Sequence, residues 1–382
     1  MAVISMSNSR LGGSRTASEN LSITIDNGIV TAIDNDFVGE ARFENVSVLA
    51  GFIDVHCHGA VGVDVNSADV DGLLKVGEFL ARHGVTAWMP TLVPDADDNY
   101  LRAVDVINEV MRMQVGKPVA QVLGVHYEGV FASEAMCGAL RPEYFKKVAS
   151  RASRVASLPK LDRGVHMTTL APEINGGIGL IEELVADGWV VSIGHTRADA
   201  ATLDKAFAVG ARHLTHFFNA MTGVHHRELG VAGWGLANRE VTFDIIADGI
   251  HVAPQMLELA CRVKSPDKVS LISDSVAPTG LGDGEYELWS EKITVKNDRT
   301  QNERGSIAGS VITMHDAVKE MLSLGFSVAE VEKMASRNPA RLLGLETRGS
   351  IEVGKRADLV VLNADGSIAS TMIGGEVAEA RA

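Results

Sequence analysis

Residues 52–59 read FIDVHCHG, a short apolar run that has the composition of a strand and ends in two histidines separated by one residue. Similar runs recur along the chain, and helical periodicity separates most of them. They are VTAWMPTLV (85–93), VLGVHYEG (122–129), GVHMTTLAPE (164–173), VVSIGHT (190–196), HLTHFFNAM (213–221), VTFDIIADG (241–249) and VSLISDS (269–275). Eight strands that alternate with helices predict a (β/α)8 barrel of the α/β class.

The competing arrangement of alternating strands and helices is a doubly wound open sheet. Such a sheet normally carries a glycine-rich phosphate-binding turn, GxGxxG, after its first strand. The first strand here ends instead in HCHGAVG at residues 56–62, which favours the barrel.

Amphipathic periodicity predicts helices between the strands at residues 71–84, 98–113, 176–188 and 198–210.

The two ends of the chain have a different pattern from the middle. Residues 20–50 and 349–377 alternate between apolar and polar residues and contain turn residues such as Asp-Asn-Gly. Neither segment is long enough to form a stable domain alone. We therefore predict a small β-sandwich-like domain built jointly from residues 1–50 and 349–382, with the barrel in residues 51–348.

Composition excludes several classes of protein. The chain has 382 residues, of which 46% are hydrophobic, and a formal net charge of −14. This charge argues against a protein that coats nucleic acid or an anionic membrane, so we expect neither as a partner. The only cysteines, Cys57, Cys137 and Cys261, are odd in number and scattered, as in proteins of a reducing compartment. No apolar run reaches the length of a membrane span or of a signal peptide. We therefore expect a cytoplasmic protein.

The strand ends carry residues of types that commonly bind metal ions. His56 and His58 are two residues apart, so both face the same side of the first strand. His126 and Glu128 repeat that spacing on the third strand and face the same lumen. The fifth and sixth strands present His195 and His216. Imidazole and carboxylate ligands suit zinc or a similar divalent metal.

Asp274 follows the apolar run of the eighth strand. Burial of a carboxylate without a partner is costly. One interpretation is a structural acceptor that caps a loop. The favoured one is a general base beside a metal site, where the cation keeps the carboxyl group ionised.

These motifs, in this order, resemble the amidohydrolase superfamily and, within it, the deacetylases of N-acetylglucosamine 6-phosphate. The resemblance covers nearly the whole chain and includes LAGFIDVHCHG, GVHYEG, TLAPE, IGHT, THFFNAM, HRELGVAGWGL, IADGIHV, ISDSVAPTG, GSIAGSVITM, NPARLLGL and GSIEVGKRADLVVL. It implies hydrolysis of the acetamide of an amino-sugar phosphate to acetate and the free amine. It also implies a homodimer that shares its phosphate pocket between subunits.

The resemblance assigns roles to individual residues. The metal ligands are Glu128, His195 and His216, and the catalytic aspartate is Asp274. One or two divalent ions, zinc above all, are implied, the second through His56 and His58. The implied sugar-phosphate contacts are Ala139, Asn219, Ala220, Arg227, Asp248 to His251, Ile307, Ala308 and Gly309.

The chain departs from the pattern of these deacetylases at three places. Gly129, Val130 and Phe131 stand where the family usually reads GPF, and Cys137 replaces a usual lysine. Leu140 replaces a histidine that contacts the scissile carbonyl group.

The residues leave two alternatives open. The substrate could be another acylated amino sugar, above all N-acetylgalactosamine 6-phosphate, because no identified residue reads the C4 hydroxyl. The chain could also be a catalytically inactive binding protein that keeps the fold, although retention of the four implied metal-site and catalytic residues argues against this. A cyclic amidase is less favoured, because HMTTLAPE lacks the usual bridging lysine on strand four.

Overall fold

The structure is a computed structural model that describes residues 2–12, 18–35, 38–148 and 158–378. The strands, in chain order, are β1 (Ala2–Leu11), β2 (Ser18–Asp26), β3 (Ile29–Asp34), β4 (Phe43–Glu44), β5 (Ser47–Ala50), β6 (Phe52–Cys57), β7 (Gly59–Ala60), β8 (Val63–Asp64), β9 (Val85–Leu92), β10 (Gln121–Val122), β11 (Gly124–Phe131), β12 (Val165–Leu170), β13 (Val190–Ile193), β14 (His213–Leu214), β15 (Thr242–Ile246), β16 (Val269–Ile272), β17 (Gly284–Leu288), β18 (Glu291–Lys296), β19 (Arg299–Asn302), β20 (Leu359–Leu362), β21 (Ile368–Ile373) and β22 (Glu376–Val377).

The helices lie mainly between the barrel strands. They are α1 (Val70–Arg82), α2 (Asp97–Met113), α3 (Gly177–Ala186), α4 (Ala200–Ala208), α5 (Gly230–Ala237), α6 (Pro254–Lys264), α7 (Met314–Ser323), α8 (Val328–Glu332) and α9 (Asn338–Leu342). A π-helical segment, Lys333–Arg337, joins α8 to α9. Short 3-10 helices lie at Glu134–Met136, Pro142–Tyr144 and Pro266–Lys268. Within the described ranges, the helices are all too short or too polar to cross a membrane.

The eight predicted strand runs form a nearly closed parallel barrel. Its strands run in the order β6-β9-β11-β12-β13-β14-β15-β16, with β10 also paired to β9. A bridge between Cys57 and Ser275 joins the eighth strand to the first. Strands such as β6, β9 and β11 are buried along their whole length, because parallel strands are covered on both faces. The predicted barrel is confirmed.

Both ends of the chain join one further sheet, in the order β22-β21-β20-β5-β1-β2-β3, with β4 paired to β1. β20 lies antiparallel to β5, so that Val360 is opposite Leu49. The sheet has its own apolar cluster, which includes Met6, Ile23 and Leu359. The predicted β-domain built from the two termini is confirmed as part of the fold.

Two features differ from the sequence expectation. The sixth strand, expected over residues 213–221, is only His213–Leu214, because His216 turns the chain with a φ of 34°. A three-stranded antiparallel sheet, β17-β18-β19, follows the eighth strand and was not predicted. Its signals were the alternation in residues 284–302 and the Asn297-Asp298 turn.

Candidate metal centre

A cavity of about 300 Å³ lies at the carboxyl ends of the barrel strands. This is the end at which the loops of such barrels carry their chemistry. Residues expected at the site that line the cavity are His58, Glu128, Ala139, His195, His216, Asn219, Ala220, His251, Asp274, Ile307 and Gly309. Leu140 also lines the cavity. Gly138, Trp289 and Ser306 line it as well, and no sequence pattern pointed to these three residues.

Glu128, His195 and His216 form one group of converging ligand atoms. Oε1 of Glu128 lies 3.0 Å from Nε2 of His195 and 2.9 Å from Nε2 of His216. The two imidazole nitrogens are 3.1 Å apart, and all three side chains are buried. Three such ligands can hold a divalent cation and leave a coordination position open.

The local backbone orients the two histidine side chains of this group. His195 and His216 have φ values of 47° and 34°, a left-handed conformation that is uncommon for residues other than glycine. Nδ1–H of His195 donates to the carbonyl oxygen of Met136 at 2.8 Å, which leaves a lone pair on Nε2 for a metal. The carboxylate of Asp244 accepts a hydrogen bond from the backbone N–H of His216.

A second group consists of His56, His58 and, again, Glu128. Nε2 of His56 lies 3.0 Å from Nε2 of His58. Oε2 of Glu128 is 3.3 Å from Nε2 of His58. Nδ1 of His58 lies 3.1 Å from the carbonyl oxygen of Thr91, so this ring also presents Nε2 to the cavity. The two groups share Glu128, and its two carboxylate oxygens face both.

Asp274 completes the cluster. Its Oδ1 lies 3.2 Å from Nε2 of His58 and 3.4 Å from Nε2 of His56. Its backbone N–H donates to the carbonyl oxygen of His56 at 2.9 Å, and its own carbonyl oxygen accepts from N–H of Ser310 at 2.8 Å. The side chain is therefore held at the cavity wall by backbone contacts on both sides.

Two buried carboxylates and the histidines around them shift one another's pKa values. Burial alone would lower the pKa of His58, but the carboxylates of Asp274 and Glu128 outweigh it and raise this pKa to about 10. Burial would likewise lower the pKa of His216, yet Glu128 raises it to about 9. Burial raises the pKa of Glu128, but the surrounding histidines bring it well below its usual value. Two buried carboxylates among imidazoles are a donor set that fits a divalent cation.

His126 faces the lumen but does not join either group. Nδ1 of this ring lies 3.1 Å from the carbonyl oxygen of Val55, and Nε2 lies 2.8 Å from Oγ1 of Thr169. Burial and the neighbouring His56 hold its pKa well below the usual range. His126 is therefore a neutral ring whose two nitrogens both have partners in the layer that supports His56.

Five residues expected to contact the sugar phosphate do not line the cavity, namely Arg227, Asp248, Gly249, Ile250 and Ala308. Asp248 lies beside it and accepts hydrogen bonds from the ring Nδ1–H of His251 at 2.6 Å and from its backbone N–H. Ala308 is buried behind the wall. Arg227 is exposed on the loop before α5 and lines a separate groove with Arg197 and His225.

Comparison with known proteins finds relatives that are named as deacetylases and cover most of this chain. An N-acetylgalactosamine-6-phosphate deacetylase of Escherichia coli O157:H7 is 34% identical over 362 residues, which cover 93% of this chain and 94% of that protein. An N-acetylglucosamine-6-phosphate deacetylase of Bacillus subtilis (strain 168) is 34% identical over 342 residues, covering 87% and 84%.

Solved structures agree in fold. A mutant of the N-acetyl-D-glucosamine-6-phosphate deacetylase of Mycobacterium smegmatis, in complex with N-acetyl-D-glucosamine-6-phosphate, matches with a TM-score of 0.88 and 28% identity over 99% of both chains. The N-acetylglucosamine-6-phosphate deacetylase of Thermotoga maritima matches with a TM-score of 0.84 and 30% identity, also over 99% of both chains. The model of the amidohydrolase family matches residues 47–378. The chain therefore belongs to the amidohydrolase family.

Proposed function

We propose that the protein is a metal-dependent deacetylase that hydrolyses the acetamide of N-acetyl-D-glucosamine 6-phosphate to D-glucosamine 6-phosphate and acetate. The observation that carries this proposal is the pair of ligand groups that share Glu128 and lie beside Asp274, at the cavity at the carboxyl end of the barrel. Relatives with the same activity in their names cover most of the chain.

Glu128, His195 and His216 would hold the divalent cation, which we propose is zinc. His56 and His58, with Glu128, offer a second position. When bound, such a cation polarises the amide carbonyl and makes an attacking water more acidic. Within each group the ligand atoms of the buried side chains already lie within 4.8 Å of one another.

Asp274 would act as general base and then general acid. Its carboxylate takes a proton from the attacking water as the new C–O bond forms, and later delivers that proton to the departing amine nitrogen as the C–N bond breaks. The pKa of Asp274 supports the first step. Burial would raise this pKa, but His56 and His58 lower it below the usual value, which keeps the carboxyl group ionised.

The sugar and phosphate would lie toward the loops that follow the last strands. Asn219, Ala220, His251, Ile307 and Gly309 line that side of the cavity. We also propose a homodimer in which Arg227 of the partner subunit reaches the phosphate. The exposed position of this arginine, outside the cavity of its own chain, supports that arrangement.

Domain boundaries and location complete the proposal. A division of the chain into residues 1–50 with 349–382 and residues 51–348 is supported by the separate apolar cluster of the terminal sheet. A cytoplasmic location is supported by the three unpaired cysteines, Cys57, Cys137 and Cys261.

A second candidate substrate is N-acetylgalactosamine 6-phosphate, favoured by the Escherichia coli relative. Measurement of kcat/KM on both phosphorylated epimers and on unphosphorylated N-acetylglucosamine separates the possibilities. We expect the highest kcat/KM with N-acetylglucosamine 6-phosphate. A higher value with the galactose epimer would transfer the proposal to that substrate, and equal use of the unphosphorylated sugar would contradict the phosphate site.

A further inference from the structure

Trp289 lies at the tip of the unpredicted β17–β18 hairpin and reaches the cavity. Leu288 pairs with Glu291, so Trp289 and Ser290 form a two-residue turn, and their φ values are 53° and 64°. Such turns normally contain asparagine and glycine. A tryptophan with positive φ is unfavourable, and backbone strain of this kind concentrates at functional sites.

The indole ring is held in place from two sides. Its Nε1–H donates to Oδ1 of Asp64 at 3.1 Å. Its ring centroid is 5.4 Å from that of His58, at an interplanar angle of 81°. The apolar surface of Trp289 therefore stands next to the metal cluster in a fixed orientation.

Leu140 supplies a second apolar surface in the same cavity. It is buried, and its Cδ1 lies so close to Gly129 that a Cβ there would approach it to 2.2 Å. Arg304 connects this loop to the hairpin, since Nη2 donates to the carbonyl oxygen of Ala139 at 2.9 Å. Its Nε lies 3.2 Å from Oε1 of Glu291 on β18. Arg304 therefore links the loop that carries Leu140 to the hairpin that carries Trp289.

The positions of Trp289 and Leu140 fit the acyl end of the proposed substrate. Trp289 contacts residues that follow the first barrel strand, and Leu140 packs against the end of the third. Asn219, Ala220 and His251, which we propose contact the sugar phosphate, follow strands six and seven of the barrel. The scissile carbonyl has two substituents, the sugar amine and an apolar acyl chain. With the sugar on one side, the acyl chain faces the other.

We propose that Trp289 and Leu140 form the acyl pocket and that Trp289 limits the length of the N-acyl group the enzyme accepts. This inference rests on the proposed deacetylase function. One methylene more or less in an apolar pocket changes discrimination by about 10–200-fold. Removal of the indole opens space for longer chains, whereas a phenyl ring keeps most of the wall.

The test compares the N-acetyl, N-propionyl and N-butyryl derivatives of glucosamine 6-phosphate as substrates. In Trp289→Ala the ratio of kcat/KM for N-butyryl over N-acetyl should rise at least about tenfold. In Trp289→Phe it should stay within about threefold of wild type. Glu285→Ala, an exposed residue of the same hairpin, is the matched control and should leave the ratio unchanged.

Leu140→Ala provides an independent variant, which should also raise the ratio, and keeps the inference testable if Trp289→Ala does not fold. Ratios that stay within twofold of wild type in every folded variant, with acetate release intact, would overturn the acyl pocket while leaving the deacetylase function standing. A wild-type protein that releases no carboxylic acid from any of the three substrates would overturn the proposed function itself, and with it this inference.

Discussion

Replacement of Asp274 by asparagine should abolish most of the turnover while leaving the protein folded and loaded with metal. Asparagine has nearly the same shape as aspartate. The two backbone hydrogen bonds that hold this position, to His56 and from Ser310, do not depend on the side chain. The substitution therefore removes proton transfer with little movement of the site.

The expected magnitude follows from that chemistry. A positioned general acid–base group contributes about 10²–10⁴-fold to the rate. Asp274 would serve in both proton transfers, so we expect kcat to fall by about 10³-fold or more, which corresponds to about 4 kcal/mol of transition-state stabilisation. KM should change by less than about threefold, because an interaction made only in the transition state affects kcat.

Acetate release gives the kinetic constants, and elemental analysis of the same preparation gives the metal content. Asp283→Asn, the same chemical change at an exposed position after the eighth strand, serves as control and should behave as wild type. A kcat for Asp274→Asn within tenfold of wild type, at full metal content, would refute the assignment of Asp274 as the general base.

Three other variants test separate parts of the structure. The double variant His56→Asn, His58→Asn should bind at most one divalent ion in equilibrium dialysis where wild type binds up to two; a wild-type ratio that never exceeds one would mean that the pair is structural. Leu140→His should leave kcat within about tenfold of wild type, because the new donor enters a site organised without it; a hundredfold gain would point to a different natural substrate. Burial of Lys264 lowers its pKa to about 8, so the unfolded state binds the extra proton between that value and 10.5, and the free energy of unfolding should increase as pH rises through this range. Urea unfolding of Lys264→Met should lack this gain, and an identical pH profile would exclude the effect.

Much of the barrel was predictable because its signals are local. Each parallel strand is buried on both faces and reads as an apolar run, and residues two apart on a strand share a face. His56, His58 and Glu128 could therefore be placed in one lumen from spacing alone. The carboxyl ends of parallel strands meet at one end of a barrel, which also brings in His195 and His216.

The features that sequence could not predict depend on distant contacts. The sixth strand stops early because His216 turns, and its N–H is bound by the carboxylate of Asp244, 28 residues away. Trp289 reaches the cavity only because its hairpin packs against the barrel, where Asp64, 225 residues earlier in the chain, accepts its N–H. No local periodicity encodes either contact. Arg227 lies outside the cavity of its own chain, and we propose that it acts in a homodimer. Residue patterns within one chain do not show contacts between subunits.

Metal titration of the stripped protein tests the central claim most directly. Protein freed of metal by a chelator is titrated with zinc while acetate release from N-acetylglucosamine 6-phosphate is measured. We predict that the stripped protein is inactive, and that activity rises in proportion to bound zinc until one or two ions are held per chain. Full activity in protein with no detectable metal, or no activity at saturating zinc, manganese or cobalt, would contradict the account.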